Sequence, residues 1–231
     1  MDIKCFLAMT ASELSGAVQL PINTAYMACH FSGSNRGLSN LPQFLPTHSM
    51  VIIDDLIPPC GHSPELIAQQ LKEMSADWIL LDLQRPDVPE NHAIAAALVN
   101  NFPGQVGVSS LYAENLDCPV FLPPPPLHIP LDKYLKNWKR RDIWLEIAEE
   151  AAQVTVTEKD STYQNILDNS LDEPIFNNDT LCCQYHIALQ EDNVCFTLRR
   201  NKENLLQLLQ QAQKLGVGCA IGPYTHLYPF P

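Results

Sequence analysis

The sequence has few positive charges, since 14 Lys and Arg residues stand against 26 Asp and Glu residues, for a formal net charge of −12. A nucleic-acid-binding surface needs clustered Lys and Arg side chains to neutralise phosphates. The only basic cluster, at residues 136–141, lies beside Glu146, Glu149 and Glu150, as a solvated surface does. We therefore expect no nucleic acid among the partners.

Patterns that mark metal and cofactor sites are also missing. The eight cysteines include no C-x-x-C pair, and His30, Cys60, His62 and His128 lack the spacing of metal ligands. The glycine-rich loops that bind nucleotides do not occur, nor does the Gly-x-Ser-x-Gly turn of serine hydrolases. The sequence predicts neither a metal nor a cofactor.

Long apolar runs are absent as well. None approaches the ~20 residues that span a bilayer, and no basic region followed by an apolar stretch opens the chain. Several cysteines lie in apolar runs, where a free thiol behaves as a small buried hydrophobe. We expect a cytoplasmic protein that does not bind membranes.

Short apolar runs at residues 50–53, 78–81 and 105–108 are the clearest features present. Continuous runs of this kind are typical of strands covered on both faces. Helical patterns at residues 63–74 and 89–102 separate them, so the strand ends recur at about the length of a βα unit. Such units place their strands parallel in one sheet.

The rest of the chain extends this pattern less regularly. Further strand patterns occur at residues 3–9, 24–30, 118–122, 153–157 and 217–221, with a hairpin at 185–198 and helical patterns at 130–150 and 201–215. We predict one α/β domain over residues 1–231, a TIM-like (β/α) barrel, incomplete because some helices are missing or replaced by loops. An irregular excursion is expected at about residues 158–182. An open doubly wound sheet is the alternative.

An incomplete barrel would expose strand edges or apolar strand faces, so we also expect a homodimer.

Functional groups of parallel α/β folds gather at the carboxyl ends of the strands. Alternation along the strand at 78–82 places Asp82 and Gln84 on the same face as Leu80, towards the mouth of a barrel. Asp54 and Asp55 follow the preceding strand, where they either take part in chemistry or cap the next turn. The candidate site residues are Asp55, Asp82, Gln84, Tyr112, Glu114 and Tyr224.

Residues 76–84, Ala-Asp-Trp-Ile-Leu-Leu-Asp-Leu-Gln, resemble the fourth-strand signature of glycoside hydrolase family 18, the chitinase-like barrels. That signature is Asp-Gly-x-Asp-x-Asp-x-Glu, and the resemblance extends over about residues 48–86. Asp77 and Asp82 match its first and third aspartates. Trp78 replaces the glycine, Leu80 replaces the second aspartate, and Gln84 replaces the catalytic glutamate.

The resemblance implies a carbohydrate-binding barrel whose catalysis is impaired. In the family, the glutamate protonates the glycosidic oxygen while the substrate's acetamido group attacks the sugar carbon. Gln84 has no proton to deliver, and losing a general acid costs about 10²–10⁴ in rate. The resemblance therefore favours a non-catalytic protein that binds an oligosaccharide, such as an N-acetylated one. The binding residues would be Asp82, Gln84 and Asp55, with Tyr112 and Tyr224 as stacking groups.

Two alternatives remain open from the sequence. An active glycoside hydrolase would need a relocated acid, for which Asp55, Asp82 and Glu114 are the candidates. A partner-binding scaffold without a small-molecule site would use residues 123–126, four consecutive prolines, and residues 160–180 as contact surfaces.

Overall fold

The computed structural model describes residues 3–17, 20–21, 23–167, 170–190 and 192–228. Contacts divide the chain into two compact units. The barrel unit consists mainly of Lys4–Leu122, Arg140–Leu145 and the segment that begins at Gly218, and the sheet unit mainly of Pro123–Lys139 and Glu146–Val217. That the chain folds as a single domain stays a prediction.

Eight parallel strands form a closed barrel, which confirms the predicted TIM-like architecture. Strand β1 pairs with both β2 and β14, so the hydrogen-bonded ring has no open edge. A short strand, β3 (Leu38–Ser39), pairs antiparallel with β2 outside the ring. In ring order the strands are β1 (Lys4–Met9), β2 (Thr24–Phe31), β4 (Met50–Asp54), β5 (Trp78–Asp82), β6 (Val106–Ser109), β7 (Val120–Leu122), β8 (Ile143–Glu146) and β14 (Cys219–Pro223).

The closed ring removes one of the two reasons for which a homodimer was expected, because the described barrel strands leave no edge of the ring unpaired. The homodimer itself stays a prediction.

Four helices of the barrel unit accompany its strands, whereas the connections from β2 to β4 and from β6 to β7 contain no helix among the described residues. The four helices are α1 (Ala11–Gly16), α2 (Pro64–Met74), α3 (Pro89–Asn101) and α6 (Tyr224–Leu227). Helix α2 begins as its sequence predicts, with Ser63 accepting a hydrogen bond from the Leu66 amide and Pro64 in the first turn. Residues 110–119 connect β6 to β7 as a loop, which confirms that loops replace some helices.

Alternate strand residues fill the barrel interior. Leu80 lies in this core beside Trp144, and the Trp144 ring packs edge-on against Trp78 with centroids 6.0 Å apart. Because Leu80 points inward, Asp82 lies on the same face one step nearer the mouth. The other core residues are Phe6, Ala8, Ala25, Met50, Ile52, Phe121, Cys219 and Ile221.

The sheet unit contains a five-stranded antiparallel sheet in the order β10-β9-β13-β12-β11. The predicted hairpin is confirmed as β12 paired with β13. Arg200 is 1% exposed and holds the unit together through Glu150, at 3.0 Å, and the carbonyl of Pro125. Its elements are α4 (Leu131–Tyr134), a 3₁₀ turn (Leu135–Trp138), β9 (Glu150–Thr157), β10 (Ser161–Ile166), β11 (Phe176–Asn178), β12 (Cys183–Gln190), β13 (Asn193–Arg200) and α5 (Lys202–Lys214).

Two predictions about the middle of the chain are wrong. The helix expected over residues 130–150 ends at residue 138, and the segment beyond it supplies β8 and the start of β9. The polar excursion at about 158–182 is not irregular throughout, because β10 pairs with β9 and β11 pairs with β12. Strand β8 takes its structure from β7 and β14, which lie elsewhere in the sequence, whereas β10 and β11 pair with the strands next to them along the chain.

Candidate functional site

Asp82 and Gln84 meet at the mouth of the barrel, as the sequence predicts. Asp82 is the last residue of β5 and is partly exposed, and Gln84 lies in the loop that follows. The Gln84 side-chain amide donates a hydrogen bond to Oδ1 of Asp82. The carboxylate and the carboxamide therefore form one polar unit at the end of this strand.

The Asp82 carboxyl has a raised pKa, mainly because burial disfavours its charged form. The hydrogen bond from Gln84 lowers this pKa in part, while the neighbouring carboxylates of Asp54 and Asp55 raise it further. Asp82 consequently keeps its proton to a higher pH than an exposed aspartate does.

A second polar pair, His30 and Asp54, lies on the neighbouring strands. Asp54 ends β4 and is in register with Asp82 on one side and with His30 of β2 on the other. The Nδ1 atom of His30 lies 2.7 and 2.8 Å from the two Asp54 oxygens, and the Leu56 amide donates to Oδ1 at 3.0 Å. The side chains of His30 and Asp54 are 22% and 29% exposed. Three adjacent strands thus place polar side chains at one edge of the ring.

A bulge in β2 brings His30 to this edge. The register between β2 and β4 shifts between Tyr26 and Cys29, so one extra residue of β2 faces β4 there. Ala25 belongs to the barrel core, and strict alternation from Ala25 would turn Cys29 inward and His30 outward. Because the bulge adds one residue, His30 faces inward and Cys29 faces outward. The sequence pattern did not show the bulge, so it identified Asp54 as a strand end but gave His30 no role there.

Asp55 and Tyr112 are buried, each 3% exposed, and they fix the loop that carries Gln84. Asp55 accepts hydrogen bonds from the Gln84 amide at 2.9 Å, the Arg85 amide at 3.0 Å and Nδ2 of Asn91 at 2.8 Å. The Tyr112 hydroxyl donates to the Arg85 carbonyl and accepts from Asn91 at 3.2 Å. Asp55 and Tyr112 therefore hold the loop in place and do not present polar atoms to solvent. Asn91, which donates a hydrogen bond to each of them, was not identified from the sequence.

Glu114 and Tyr224 lie in other connections, and within the described part of the chain neither forms a hydrogen bond or ion pair with Asp82. Glu114 is exposed in the loop between β6 and β7. Tyr224 begins α6 directly after β14 and stacks on Tyr228, with ring centroids 4.7 Å apart and an interplanar angle of 22°. Tyr224 is thus an aromatic group at the carboxyl end of a barrel strand, as expected.

The described residues contain no group of three His, Cys, Asp or Glu side chains that could hold a metal ion. Among the same residues, no helix is long and apolar enough to cross a membrane. The mouth offers an imidazole, two carboxyl groups and a carboxamide. These groups donate and accept hydrogen bonds, which suits a neutral ligand rich in hydroxyl or amide groups.

No family model matches the chain, and no curated protein matches it. Solved structures match its fold at low identity. The chain shares 10% identity with a complex of (GlcNAc)4 and a variant of the family 18 chitinase from Cycas revoluta, with a TM-score of 0.58 over 97% of this chain and 96% of that one.

Two further structures show the same likeness. The spore cortex-lytic enzyme SleL from Bacillus cereus is 10% identical, with a TM-score of 0.53 over 100% of this chain and 72% of that one. The chitinase-like agglutinin from Robinia pseudoacacia is 10% identical, with a TM-score of 0.53 over 94% of this chain and 93% of that one. At such identities the likeness concerns the fold alone. This chain has the barrel fold of the glycoside hydrolase family 18 chitinases, in a degenerate form.

Proposed function

We propose that the barrel mouth binds a carbohydrate bearing N-acetyl groups and does not hydrolyse it. One observation carries this proposal. The residue that donates a hydrogen bond to Asp82, just beyond the end of β5, is Gln84. It offers a carboxamide at the position where the resembled signature has its catalytic glutamate. The likeness to a chitinase complexed with (GlcNAc)4 and to a chitinase-like agglutinin supports a sugar ligand.

The chemistry of the Asp82–Gln84 unit suits recognition better than catalysis. An acetamido N–H or a sugar hydroxyl can donate to Asp82, and the Gln84 amide can donate to a glycosidic oxygen. Hydrolysis also needs a proton on the leaving oxygen, and a carboxamide does not supply one at neutral pH. Tyr224, with Tyr228 stacked on it, would supply an apolar face for a sugar ring.

The first test is ligand-observed NMR of N-acetylglucosamine oligomers with the pure protein over a day. We expect saturation transfer to the sugar and no new reducing-end signals. New reducing ends from the wild-type protein would contradict the proposal and favour the relocated acid, for which Asp55, Asp82 and Glu114 are the candidates. The absence of both signals would favour the partner-binding scaffold.

The Gln84→Glu variant tests whether the missing acid is what prevents hydrolysis. It places an acid beside Asp82, and general acid catalysis is worth about 10²–10⁴ in rate, so we expect reducing ends that wild type does not form. Gln105→Glu is the matched control, because Gln105 is exposed just before β6, at the opposite end of the barrel strands. Equal product from both variants would contradict a role for position 84.

A further inference from the structure

The His30–Asp54 pair is a second polar group of the mouth that the Asp82–Gln84 unit does not explain. Its place depends on an irregularity, because only the bulge between Tyr26 and Cys29 turns His30 towards Asp54. Bulges interrupt strand pairing, and they are frequent next to functional sites, where they redirect a side chain. The irregularity that turns His30 inward therefore points to a use for the imidazole.

The hydrogen bond to Asp54 fixes how the imidazole presents its nitrogens. A carboxylate only accepts hydrogen bonds, so Nδ1 of His30 carries the proton that is shared with Asp54 at 2.7–2.8 Å. Nε2 is then the lone-pair nitrogen of the neutral ring. Asp54 itself is held by the Leu56 amide, which leaves the pair little freedom to rotate.

The second nitrogen is open to a ligand. Within the part of the chain that the structure describes, Nε2 of His30 has no hydrogen-bond partner, and it is not among the buried polar atoms left unsatisfied. The side chain is 22% exposed at the end of a barrel strand, and Asp54 beside it is in register with Asp82.

We propose that His30 is a ligand-binding residue of the mouth, held by Asp54 so that Nε2 accepts a hydrogen bond from a hydroxyl or acetamido N–H of the sugar. This inference rests on the proposed carbohydrate binding and extends the site from β5 across β4 to β2. The sugar would then contact Asp82 and His30 on either side of Asp54.

Two variants test whether His30 binds a ligand through Nε2 or only joins β2 to β4 through its hydrogen bond to Asp54. The amide nitrogen of an asparagine lies near the place of Nδ1, so His30→Asn keeps a donor for Asp54 and removes Nε2. The longer amide of His30→Gln reaches towards the place of Nε2 and offers an oxygen there. His48→Asn is the control, because His48 also lies near an aspartate, Asp77, but before β4 at the other end of the strands. Its φ of 62° suits asparagine.

The experiment measures the affinity of each protein for N-acetylglucosamine oligomers by NMR titration, together with thermal unfolding. We expect His30→Asn to weaken binding about fivefold to tenfold at wild-type stability, with His30→Gln in between and His48→Asn unchanged. Wild-type affinity in His30→Asn would overturn the inference and leave the proposed function intact.

If His30→Asn does not fold, imidazole ¹⁵N spectra of the wild-type protein decide instead. The Nε2 resonance of His30 should then move on sugar addition while that of His48 stays, and an unmoved His30 resonance would overturn the inference. A wild-type protein that binds no sugar would contradict the proposed function, and the inference would fail with it.

Discussion

At the scale of single residues, Asp55 determines the conformation of the loop that presents Gln84. Its carboxylate accepts three hydrogen bonds in a buried site, two from backbone amides and one from Asn91. Asp55→Ala would leave these donors unsatisfied, and we expect it to lower the free energy of unfolding by about 2–5 kcal/mol. Urea denaturation measures this loss.

The exposed Asp87 of the same loop supplies the control. Asp87→Ala removes an exposed aspartate that forms no hydrogen bond among the described residues, and we expect the free energy of unfolding to change by no more than about 0.5 kcal/mol. If Asp55→Ala were as stable as Asp87→Ala but lost sugar binding, Asp55 would be a ligand-binding residue, as its place after β4 first indicated.

At the scale of elements, the barrel interior depends on a small residue in β6 facing a large one in β8. A Cβ atom at Gly107 would overlap the Trp144 ring, which packs on it inside the barrel. Gly107→Ala should therefore displace the ring and destabilise the protein by about 1–3 kcal/mol. Gly33→Ala is the control, because a Cβ there meets no atom within 4 Å. Equal unfolding free energies of the two variants would contradict the close packing of β6 against β8.

The same pair of strands explains where secondary structure was mispredicted. Trp144 lies in a stretch whose local pattern favours a helix, yet Ile143 and Leu145 are buried as parts of β8. Burial between β7 and β14 outweighs a helical preference, which is worth only tenths of a kcal/mol per residue.

At the scale of the whole molecule, carboxyl groups in both units have raised pKa values, for each of which burial is the main cause. They are Asp82, Asp142 and Glu150. The folded state then binds more protons than the unfolded state between the ordinary carboxyl pKa of about 4 and the raised value. Through these groups, the free energy of unfolding falls as the pH rises through that window, and it rises again as the pH is lowered.

Asp82→Asn tests this linkage, because it removes one titrating group and leaves a polar side chain of the same shape. We expect the unfolding free energy of the variant to depend less on pH than that of wild type, measured by urea denaturation from about pH 4.5 to 7. Asp87→Asn is the matched control, because it makes the same chemical change at an exposed position of the loop after β5. A steeper fall in the Asp82→Asn variant would show that the carboxyl is stabilised, not destabilised, in its charged form.

The sequence by itself determined the repeating βα units, the parallel strands and the place of Asp82 and Gln84 at their carboxyl ends, while the pairing of β1 with β2 and β14 decided that the sheet closes into a barrel. The first three features follow from local information, since apolar runs, helix caps and strict alternation within β5 need no knowledge of distant residues. It also showed that Gln84 stands where the resembled signature has an acid.

Only the tertiary structure decided the identity of β8, the strands within 158–182 and the pairing of His30 with Asp54. β8 and the His30–Asp54 pair depend on partners that are far apart along the chain, whereas the strands within 158–182 pair with their sequence neighbours β9 and β12. A single extra residue in β2 changes which side chain faces the mouth, and no periodicity within residues 24–31 reveals it. The buried contacts of Asp55 and Tyr112 likewise arise only when Asn91 of α3 reaches the loops after β4 and β6.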